Sequence, residues 1–157
     1  MIAAKPYGDL APFTPAEKAA ALARQKSKAD YLEFLQLDLE DLERGYARMR
    51  LPFRRELTHS GGVVQGGLIT TLADSCLAHA VIAALEGDTF SATTLELKVN
   101  FIRPGQGQWL VADAGLLHLG RRTAVGEAEV RNDAGKLVAK CLASLLIVAK
   151  GPAARHG

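Results

Sequence analysis

The sequence has little cysteine, few aromatic residues and no marked excess of either charge. Its 157 residues include two cysteines, Cys76 and Cys141, which are far apart and form no metal-ligand pattern. Each lies in an apolar run, as is typical of free core thiols in a reducing compartment. The formal net charge of +2 at pH 7 is too small to indicate nucleic acid as a partner. We therefore expect no metal site and no nucleic-acid partner.

The start of the sequence also lacks a secretory signal, and one apolar segment needs a membrane check. Residues 1–8 contain no continuous apolar run, so we expect a cytoplasmic protein. Residues 66–85 are apolar and about as long as a bilayer span, but Asp74 lies near their middle. An Asp at that depth costs roughly 3 kcal/mol on insertion scales. The segment is therefore predicted to be a helix buried inside the protein, with no membrane partner.

The N-terminal part of the chain has the pattern of helices. Residues 14–17, Thr-Pro-Ala-Glu, have the form of a helix start, with Thr as the N-cap and Glu at the third helical position. The Ala-rich sequence that follows predicts a helix to about Ala29, and residues 30–36 predict a second, shorter one. The predicted parts of the chain are a helical extension at 1–36, one main domain at 37–150 and a tail at 151–157.

Alternation of apolar and polar residues predicts strands on both sides of the long helix. The predicted strands are residues 37–42, 46–51, 95–101, 109–119, 123–131 and 136–148. Turns are expected at 86–88 and at 132–135. The last strand is apolar on both faces, which favours a central place in the sheet. The economical arrangement is an α+β fold in which a mostly antiparallel sheet wraps one buried helix.

Asp74 is the residue of the helix that most strongly indicates chemistry. It is the one charged residue between Gly66 and Leu85, and burying an unpaired carboxylate is costly. Isolated buried carboxylates cluster at functional sites, so we expect a catalytic role. The structural alternative is a core Asp that accepts hydrogen bonds from Thr70 or Thr71, or from a donor across a subunit interface. The residues predicted beside it on the helix surface are Gly67, Thr70, Thr71, Leu77, Ala78 and Val81.

Two glycines at the start of the helix supply a second functional signal. Without a Cβ at Gly66 and Gly67, the unpaired N–H groups of the first turn are open to a ligand. The helix dipole adds positive potential at this end. These are the features needed to polarise a carbonyl and to stabilise an oxyanion, whereas a plain loop-to-helix junction is the alternative interpretation.

Three segments carry a resemblance to a known family. They are residues 62–74, residues 94–104, and Gly120-Arg121 with the strand and the Asp-Ala-Gly-Lys hairpin that follow. Over roughly residues 37–148 the chain resembles the phenylacetate-degradation (PaaI-type) branch of the hot-dog-fold acyl-CoA thioesterases. The resemblance implies the hot-dog fold and hydrolysis of an acyl-CoA without a metal or a separate cofactor. It also implies a homodimer or dimer-of-dimers with active sites shared between subunits.

The resemblance also implies roles for individual residues. Asp74 is expected to act as general base or nucleophile, the backbone N–H of Gly66 to polarise the carbonyl, and the Thr94 hydroxyl to help place water. Arginines suit phosphate oxygens through their forked donors, although an exposed loop or an interface pair is the alternative. The predicted substrate-binding residues are Gly67, Leu77, Ala78, Arg103, Arg121 and Arg122.

Two positions depart from the family pattern. Gln65 stands where the family usually has His, and His59 stands where it usually has Asn. The amide of Gln65 still forms hydrogen bonds but carries no positive charge. His59 is predicted to orient water or to act as a second base near neutral pH. Two further histidines are expected to matter less, since His79 is predicted to be a packed or interface residue and His118 to lie near the ligand mouth.

Two other functions compete with the thioesterase hypothesis. A hot-dog hydratase or dehydratase needs a catalytic His together with a helix carboxylate, and His59 is weakly placed for that. A non-catalytic acyl-CoA binder or sensor would keep the cleft and lose the chemistry, and the exchanged residues at 59 and 65 keep this alternative open.

Overall fold

One long helix lies in the curve of a six-stranded antiparallel sheet. The computed structural model describes residues 1–26, 30–59, 61–85 and 89–150. The helices are α1 (Pro15–Lys26), α2 (Asp30–Leu35) and α3 (Gly66–Ala84), with a short 3-10 turn at Arg55–Leu57. The strands are β1 (Asp38–Glu43), β2 (Tyr46–Pro52), β3 (Phe90–Phe101), β4 (Trp109–Leu119), β5 (Thr123–Asn132) and β6 (Leu137–Ala149). Their order in the sheet is β1-β2-β4-β5-β6-β3, which confirms the predicted α+β hot-dog fold.

Three of the predicted features fall on residues outside the described ranges. They are the end of the first helix near Ala29, the turn at 86–88 and the tail at 151–157. The predicted domain boundary at residue 36 stays a prediction.

α3 forms the centre of the hydrophobic core. It contacts all six strands, and its buried positions include Leu72, Cys76 and Ala80, each with no exposed surface. By length and composition alone it is apolar enough to cross a membrane, but more than half of it is buried inside the fold. The side chains that would face lipid face the sheet instead, so α3 is the core helix of the domain.

Leu77 corrects one of the predicted substrate contacts. Its side chain is fully buried, and a Cβ added at Gly126 on β5 would lie 2.8 Å from its Cδ2 atom. The sheet therefore approaches α3 closely at this point, with no space for a ligand between them. The prediction that Leu77 lines a substrate pocket is wrong, because the apolar face on which it lies is packed against β5.

β3 differs from the regular strand that its sequence predicts. A bulge between Thr94 and Glu96 shifts the register against β6, so that Leu95 has no partner in the ladder. Leu95 is consequently 58% exposed, whereas the plain alternation placed it on the same face as Leu97. Thr94, immediately before the bulge, points towards α3.

The sheet ends in an apolar edge. β3 is an edge strand, and β6 beside it is interior but only one position from the edge. The central place predicted for β6 is therefore confirmed only in that it is not an edge strand. Phe101 on β3 and Leu142 on β6 are 56% and 44% exposed. An edge with exposed apolar side chains is a surface that invites pairing with another chain.

The N-terminal helices close the side of α3 that lies between the two edge strands. α1 starts with the predicted capping box, in which the Thr14 N–H donates to Glu17 Oε2 at 2.8 Å and the Glu17 N–H donates to Thr14 Oγ1 at 3.3 Å. α1 packs on β1, and two side-chain hydrogen bonds join the extension to α3. The pairs are Gln25–His79 and Tyr31–Ser75.

The segment before α1 crosses the outer face of the sheet. The Tyr7 N–H donates to the Arg44 carbonyl at 2.7 Å, and a Cβ added at Gly115 on β4 would lie 2.8 Å from a methyl group of Ile2. The glycine thus lets the segment lie directly on the strand. The extension therefore contacts the domain on two sides, at the sheet exterior and at α3.

We predict that Leu77→Ala destabilises the protein by about 2–5 kcal/mol, because it leaves a cavity in a packed core. The measurement is urea unfolding followed by circular dichroism at a fixed protein concentration. Leu117→Ala is the control, since Leu117 is 52% exposed and its loss is expected to change stability by about 0.5 kcal/mol or less. Equal unfolding midpoints for the two variants would contradict the placement of Leu77 in the core.

Candidate active site

The Asp74 carboxylate is held by a residue from β3. Thr94 Oγ1 donates a hydrogen bond to Asp74 Oδ1 at 2.6 Å. The Thr70 and Thr71 hydroxyls donate instead to helix carbonyls one turn back, at 3.0 and 2.9 Å. The alternative in which these two threonines satisfy Asp74 is therefore wrong.

The second carboxylate oxygen of Asp74 is available. Within the part of the chain that the structure describes, neither a hydrogen bond nor an ion pair reaches Asp74 Oδ2. The side chain is half-buried, so this oxygen is accessible to a ligand or to water. A partly buried carboxylate with one oxygen fixed and one free can accept a proton or attack an electrophile.

Neither cysteine is a candidate for the catalytic nucleophile. Burial is the main cause that raises the pKa of Cys141 to about 11; the Lys140 charge lowers this pKa and the nearby Asp74 carboxylate raises it. Burial likewise raises the pKa of the Cys76 thiol far above its ordinary range. Both thiols stay protonated at neutral pH and are poor nucleophiles.

The start of α3 provides backbone N–H groups that can donate hydrogen bonds to a ligand. Gln65 is the N-cap, and its Oε1 accepts a hydrogen bond from the Leu68 N–H at 3.2 Å. Among the described residues no acceptor pairs with the Gly66 N–H. A Cβ added at Gly67 would lie 2.7 Å from Gln65 Oε1, so the second glycine gives the cap its space. The helix terminus thus presents an unpaired N–H on the positive end of the helix dipole.

Asp74 and Gly66 are too far apart to act together within one chain. Asp74 follows Gly66 by eight positions in the sequence, which corresponds to about 12 Å along the helix axis. The N–H groups of the first turn also point out of the helix end, away from Asp74. A reacting carbonyl must lie about 3 Å from its oxyanion donor and about 3 Å from its attacking group. One chain therefore supplies two half-sites.

His59 and Arg103 lie at the half-site that contains Gly66. They line a groove of about 450 Å³ with Gly66, Phe101 and Ile102. The Gly61 N–H donates to His59 Nδ1 at 3.1 Å, so a neutral His59 carries its proton on Nε2. Arg103 Nη1 donates to the Leu137 carbonyl at 2.9 Å, which leaves the rest of its guanidinium facing the groove.

Arg121 and Arg122 lie at the other end of the sheet. The carbonyl of Arg122 accepts a hydrogen bond from the Ile147 N–H, whereas the N–H of Arg103 donates to the Val138 carbonyl. Ile147 follows Val138 by nine positions along β6, a distance of about 30 Å. Within one chain Arg103 and the Arg121-Arg122 pair do not reach the same phosphate. His118 is exposed beside the same β4–β5 connection, and its predicted place near a ligand mouth stays a prediction.

A known family matches the part of the chain that holds these features. Residues 61–139 match the model of the thioesterase superfamily. The chain belongs to the thioesterase superfamily. It is therefore a thioester hydrolase with the hot-dog fold. The matched residues include all of α3 together with Thr94 and Arg103, but not His59, α1 or α2.

Two curated proteins, one named as an esterase and one as an acyl-CoA thioesterase, are similar to most of the chain. A protein of Saccharolobus solfataricus is 33% identical over 122 residues, which cover 77% of this chain and 86% of that protein. The acyl-coenzyme A thioesterase PaaI of Escherichia coli K12 is 29% identical over 106 residues, which cover 67% of this chain and 73% of PaaI.

Two solved structures share the fold. The structure of a conserved protein from Pseudomonas aeruginosa superposes with a TM-score of 0.74 at 36% identity, over 80% of this chain and 99% of that one. The structure of PaaI from E. coli superposes with a TM-score of 0.78 at 22% identity, over 87% of this chain and 97% of that one.

Two features near the site were not predicted. The bulge that aims Thr94 at Asp74 leaves no signal in the strand pattern. Gln25 looked like an ordinary polar residue of an exposed helix but is 4% exposed. Its Oε1 atom lies 2.6 Å from His79 Nδ1, and this contact confirms the prediction that His79 is packed. His79 thus faces Gln25 rather than Asp74. Within the described residues no group of His, Cys, Asp and Glu is arranged to hold a metal ion.

The environment of His79 predicts a pH effect on stability. Burial lowers the pKa of His79 from 6.5 to about 4, so the folded protein holds this ring neutral. Between pH 6.5 and 4 the unfolded chain binds a proton here that the folded chain does not. Stability therefore falls as the pH falls through this window.

We predict that His79→Asn flattens the decrease of the unfolding free energy between pH 6.5 and 4, although it lowers stability at neutral pH. The measurement is urea unfolding at a series of pH values. His118→Asn is the control, because His118 is exposed, and it is expected to keep the wild-type slope. If the unfolding free energy of His79→Asn falls with pH as steeply as that of the wild type, the His79 ring has the same pKa in the folded and unfolded chains, which would contradict the prediction.

Proposed function

We propose that this thioesterase hydrolyses acyl-CoA to a free acid and CoA, with Asp74 as general base or nucleophile and the Gly66 N–H as oxyanion donor. The observation that carries the proposal is the half-buried Asp74 carboxylate, fixed through Oδ1 by Thr94 and open at Oδ2. The name of the E. coli relative, an acyl-coenzyme A thioesterase, supports CoA as the thiol part of the substrate.

Asp74 Oδ2 suits two chemical routes. As a general base it takes a proton from water while the water oxygen attacks the thioester carbon. As a nucleophile it attacks that carbon itself and forms an acyl anhydride, which water then hydrolyses. In both routes the C–S bond breaks, the CoA thiolate leaves and is protonated, and Thr94 keeps the carboxylate oriented.

The start of α3 suits the charge that develops on the carbonyl oxygen. The Gly66 N–H has no partner in the described part of the chain, so it can donate to an oxyanion without first breaking another bond. A preorganised donor of this kind is typically worth about 10²–10³ in kcat. Gln65 keeps its Nε2 for a second hydrogen bond, since its Oε1 caps the helix. His59, on the same groove, is proposed to orient the water through its Nε2–H, or to act as a second base once its Nδ1 gives up the hydrogen bond from the Gly61 N–H.

A second copy of the chain supplies the missing half of each site. Asp74 and Gly66 lie about 12 Å apart along α3, so Asp74 of one chain is proposed to act on a carbonyl held by Gly66 of another. The exposed Leu95, Phe101 and Leu142 at the sheet edge support a homodimer, or a dimer-of-dimers, in which two β3 edges meet. Arg103 of one chain and Arg121 or Arg122 of the other are then proposed to bind CoA phosphates. We also propose that the protein is located in the cytoplasm.

We predict that Asp74→Asn lowers kcat by at least about 10²-fold and leaves CoA-thioester binding nearly unchanged, because the amide cannot accept a proton. The measurement is thiol release from a panel of acyl-CoAs, with affinity determined by calorimetry. Asp133→Asn is the matched control, since Asp133 lies in the β5–β6 turn, away from α3. Wild type that binds acyl-CoA but releases no thiol would support the non-catalytic binder instead.

We predict that Gly66→Pro loses about 10²–10³ in kcat, because it deletes the proposed oxyanion donor. Proline suits the first position of a helix, and Gln65 before it already has extended backbone angles of φ −61° and ψ 135°. Gly66→Ala is the matched control. Its Cβ meets the Phe101 ring as that of proline does, at 3.2 Å, but it keeps the N–H and is expected to lose much less.

The two variants together test whether the sites are shared. A purified heterodimer of one Asp74→Asn chain and one Gly66→Pro chain contains one site with both groups intact, so it should regain about half of the wild-type kcat. The chains carry different affinity tags so that the mixed species is isolated. An inactive heterodimer would contradict the shared site, while each inactive homodimer serves as the baseline.

A further inference from the structure

A second groove adjoins the one that contains Gly66. It has a volume of about 380 Å³, and its lining residues all come from the segment between β2 and α3. They are Phe53, Arg55, Thr58, His59 and Gly62. We call this groove the outer groove. His59 lines both grooves, so a ligand with its carbonyl at Gly66 can continue past His59 into the outer groove.

The segment that forms the outer groove is fixed beside the start of α3. The Gln65 N–H donates to the Leu57 carbonyl at 3.0 Å, and Leu57 anchors the 3-10 turn because it is only 7% exposed. Thr58 closes this turn, since its hydroxyl and its N–H donate to the Arg55 carbonyl at 2.7 and 3.1 Å. The position of Arg55 relative to Gly66 is therefore set by hydrogen bonds within the fold.

The outer groove lies within reach of a substrate bound at Gly66. Phe53 precedes Leu57 by four positions, so their Cα atoms are at most about 14 Å apart. Leu57 itself is hydrogen-bonded to Gln65, the residue before Gly66. Because CoA carries its nucleotide on a long, flexible arm, a nucleotide in the outer groove and a thioester carbonyl at Gly66 can belong to one molecule.

Two side chains of the outer groove have the chemistry that binds nucleotides. The Phe53 ring is 38% exposed, and an exposed aromatic ring can stack on a base. Arg55 is exposed, and within the described residues no hydrogen bond or ion pair reaches its guanidinium. Arg54, by contrast, donates from Nη2 to the Phe34 carbonyl at 3.2 Å. Since an arginine fork suits phosphate oxygens, Phe53 and Arg55 together match a base that carries phosphate.

We propose that the outer groove binds the nucleotide end of CoA, with the adenine base on Phe53 and a phosphate group on Arg55. The inference rests on the proposed function, since it concerns the CoA part of the same substrate. CoA carries a diphosphate and a separate phosphate on its ribose, so Arg55 adds to the arginines proposed above and does not replace them. Phe53 and Arg55 lie outside the residues that match the superfamily model, so this contact belongs to the segment before the match.

The test compares two thioesters of one acid. One is the acyl-CoA that wild type hydrolyses fastest, and the other is the N-acetylcysteamine thioester of the same acid, which keeps the thioester and lacks the nucleotide. Arg55→Gln is expected to lower kcat/KM for the acyl-CoA by about tenfold, because it removes a charge-assisted hydrogen bond. For the short thioester kcat/KM is expected to stay within about twofold of wild type, because that substrate has no group to bind at Arg55.

Further variants separate the ring, the charge and the fork. Phe53→Leu removes the ring and is expected to lower kcat/KM for the acyl-CoA by about fivefold, with the short thioester unaffected. Arg55→Lys keeps the charge without the fork and is expected to lose less than Arg55→Gln. Lys5→Gln removes an equal charge from the exposed segment before α1, and this control is expected to leave both substrates unchanged.

A nucleotide without the thiol arm gives an independent measurement. Adenosine 3′,5′-bisphosphate is expected to inhibit hydrolysis of the acyl-CoA by wild type competitively, and to inhibit Arg55→Gln about tenfold more weakly. If Arg55→Gln lowers kcat/KM for both thioesters alike, Arg55 acts on the fold or on the whole site, and the proposal is overturned. Unchanged values for both thioesters overturn it as well, while the hydrolysis itself leaves the proposed function intact.

Failure of the proposed function is recognised separately. If wild type hydrolyses neither thioester, the proposed function fails, and calorimetry with CoA alone then tests the outer groove. A lower affinity for CoA in Arg55→Gln and Phe53→Leu than in wild type and Lys5→Gln would support the binding site. Equal affinities of all four proteins would overturn it.

Discussion

The burial of α3 against the concave face of the sheet positions every group discussed above. Small side chains such as Ala73, Cys76 and Ala80 allow the helix and the strands to approach closely, and Gly126 extends this close approach to β5. Because one side of α3 packs against the sheet, the rotation of the helix about its own axis is fixed. The residues on its other side are therefore fixed as well. Asp74 lies on that remaining side, where a carboxylate can be half-buried without being enclosed. The core thus sets the position of the chemistry.

The sequence patterns that predict the fold do not predict which side chains on and around α3 are packed and which are open to a ligand. Strand alternation and the capping box at Thr14 depend on local sequence; the six strands and the capping box appear in the structure, apart from the bulge in β3. An apolar helix has no polar face to define its rotation, however, so the pattern could not distinguish packed Leu77 from half-buried Ala78. The bulge at Leu95 depends on how β3 meets β6, which is a contact between distant residues. Gln25 is buried only because α1 docks on α3, and that docking is also non-local.

Gln65 changes the electrostatics of the proposed oxyanion site. A protonated histidine at this position would bring a full charge, whereas an amide brings only a dipole. Gln65 also uses its oxygen to cap the helix, so its orientation is fixed before any substrate arrives. Stabilisation of the transition state would then come from neutral, preorganised donors and from the helix dipole. Such a site does not depend on the protonation of the residue in front of the glycines.

The path of the N-terminal segment has a consequence for the order of folding during synthesis. Ile2 leaves the ribosome long before Gly115, on which it packs, because Gly115 lies on a strand made more than a hundred residues later. His79, the partner of Gln25, likewise follows it by 54 residues. Contacts between such distant residues form late, because the loop between them must first be closed. The extension is therefore expected to dock last, after the sheet has formed around α3.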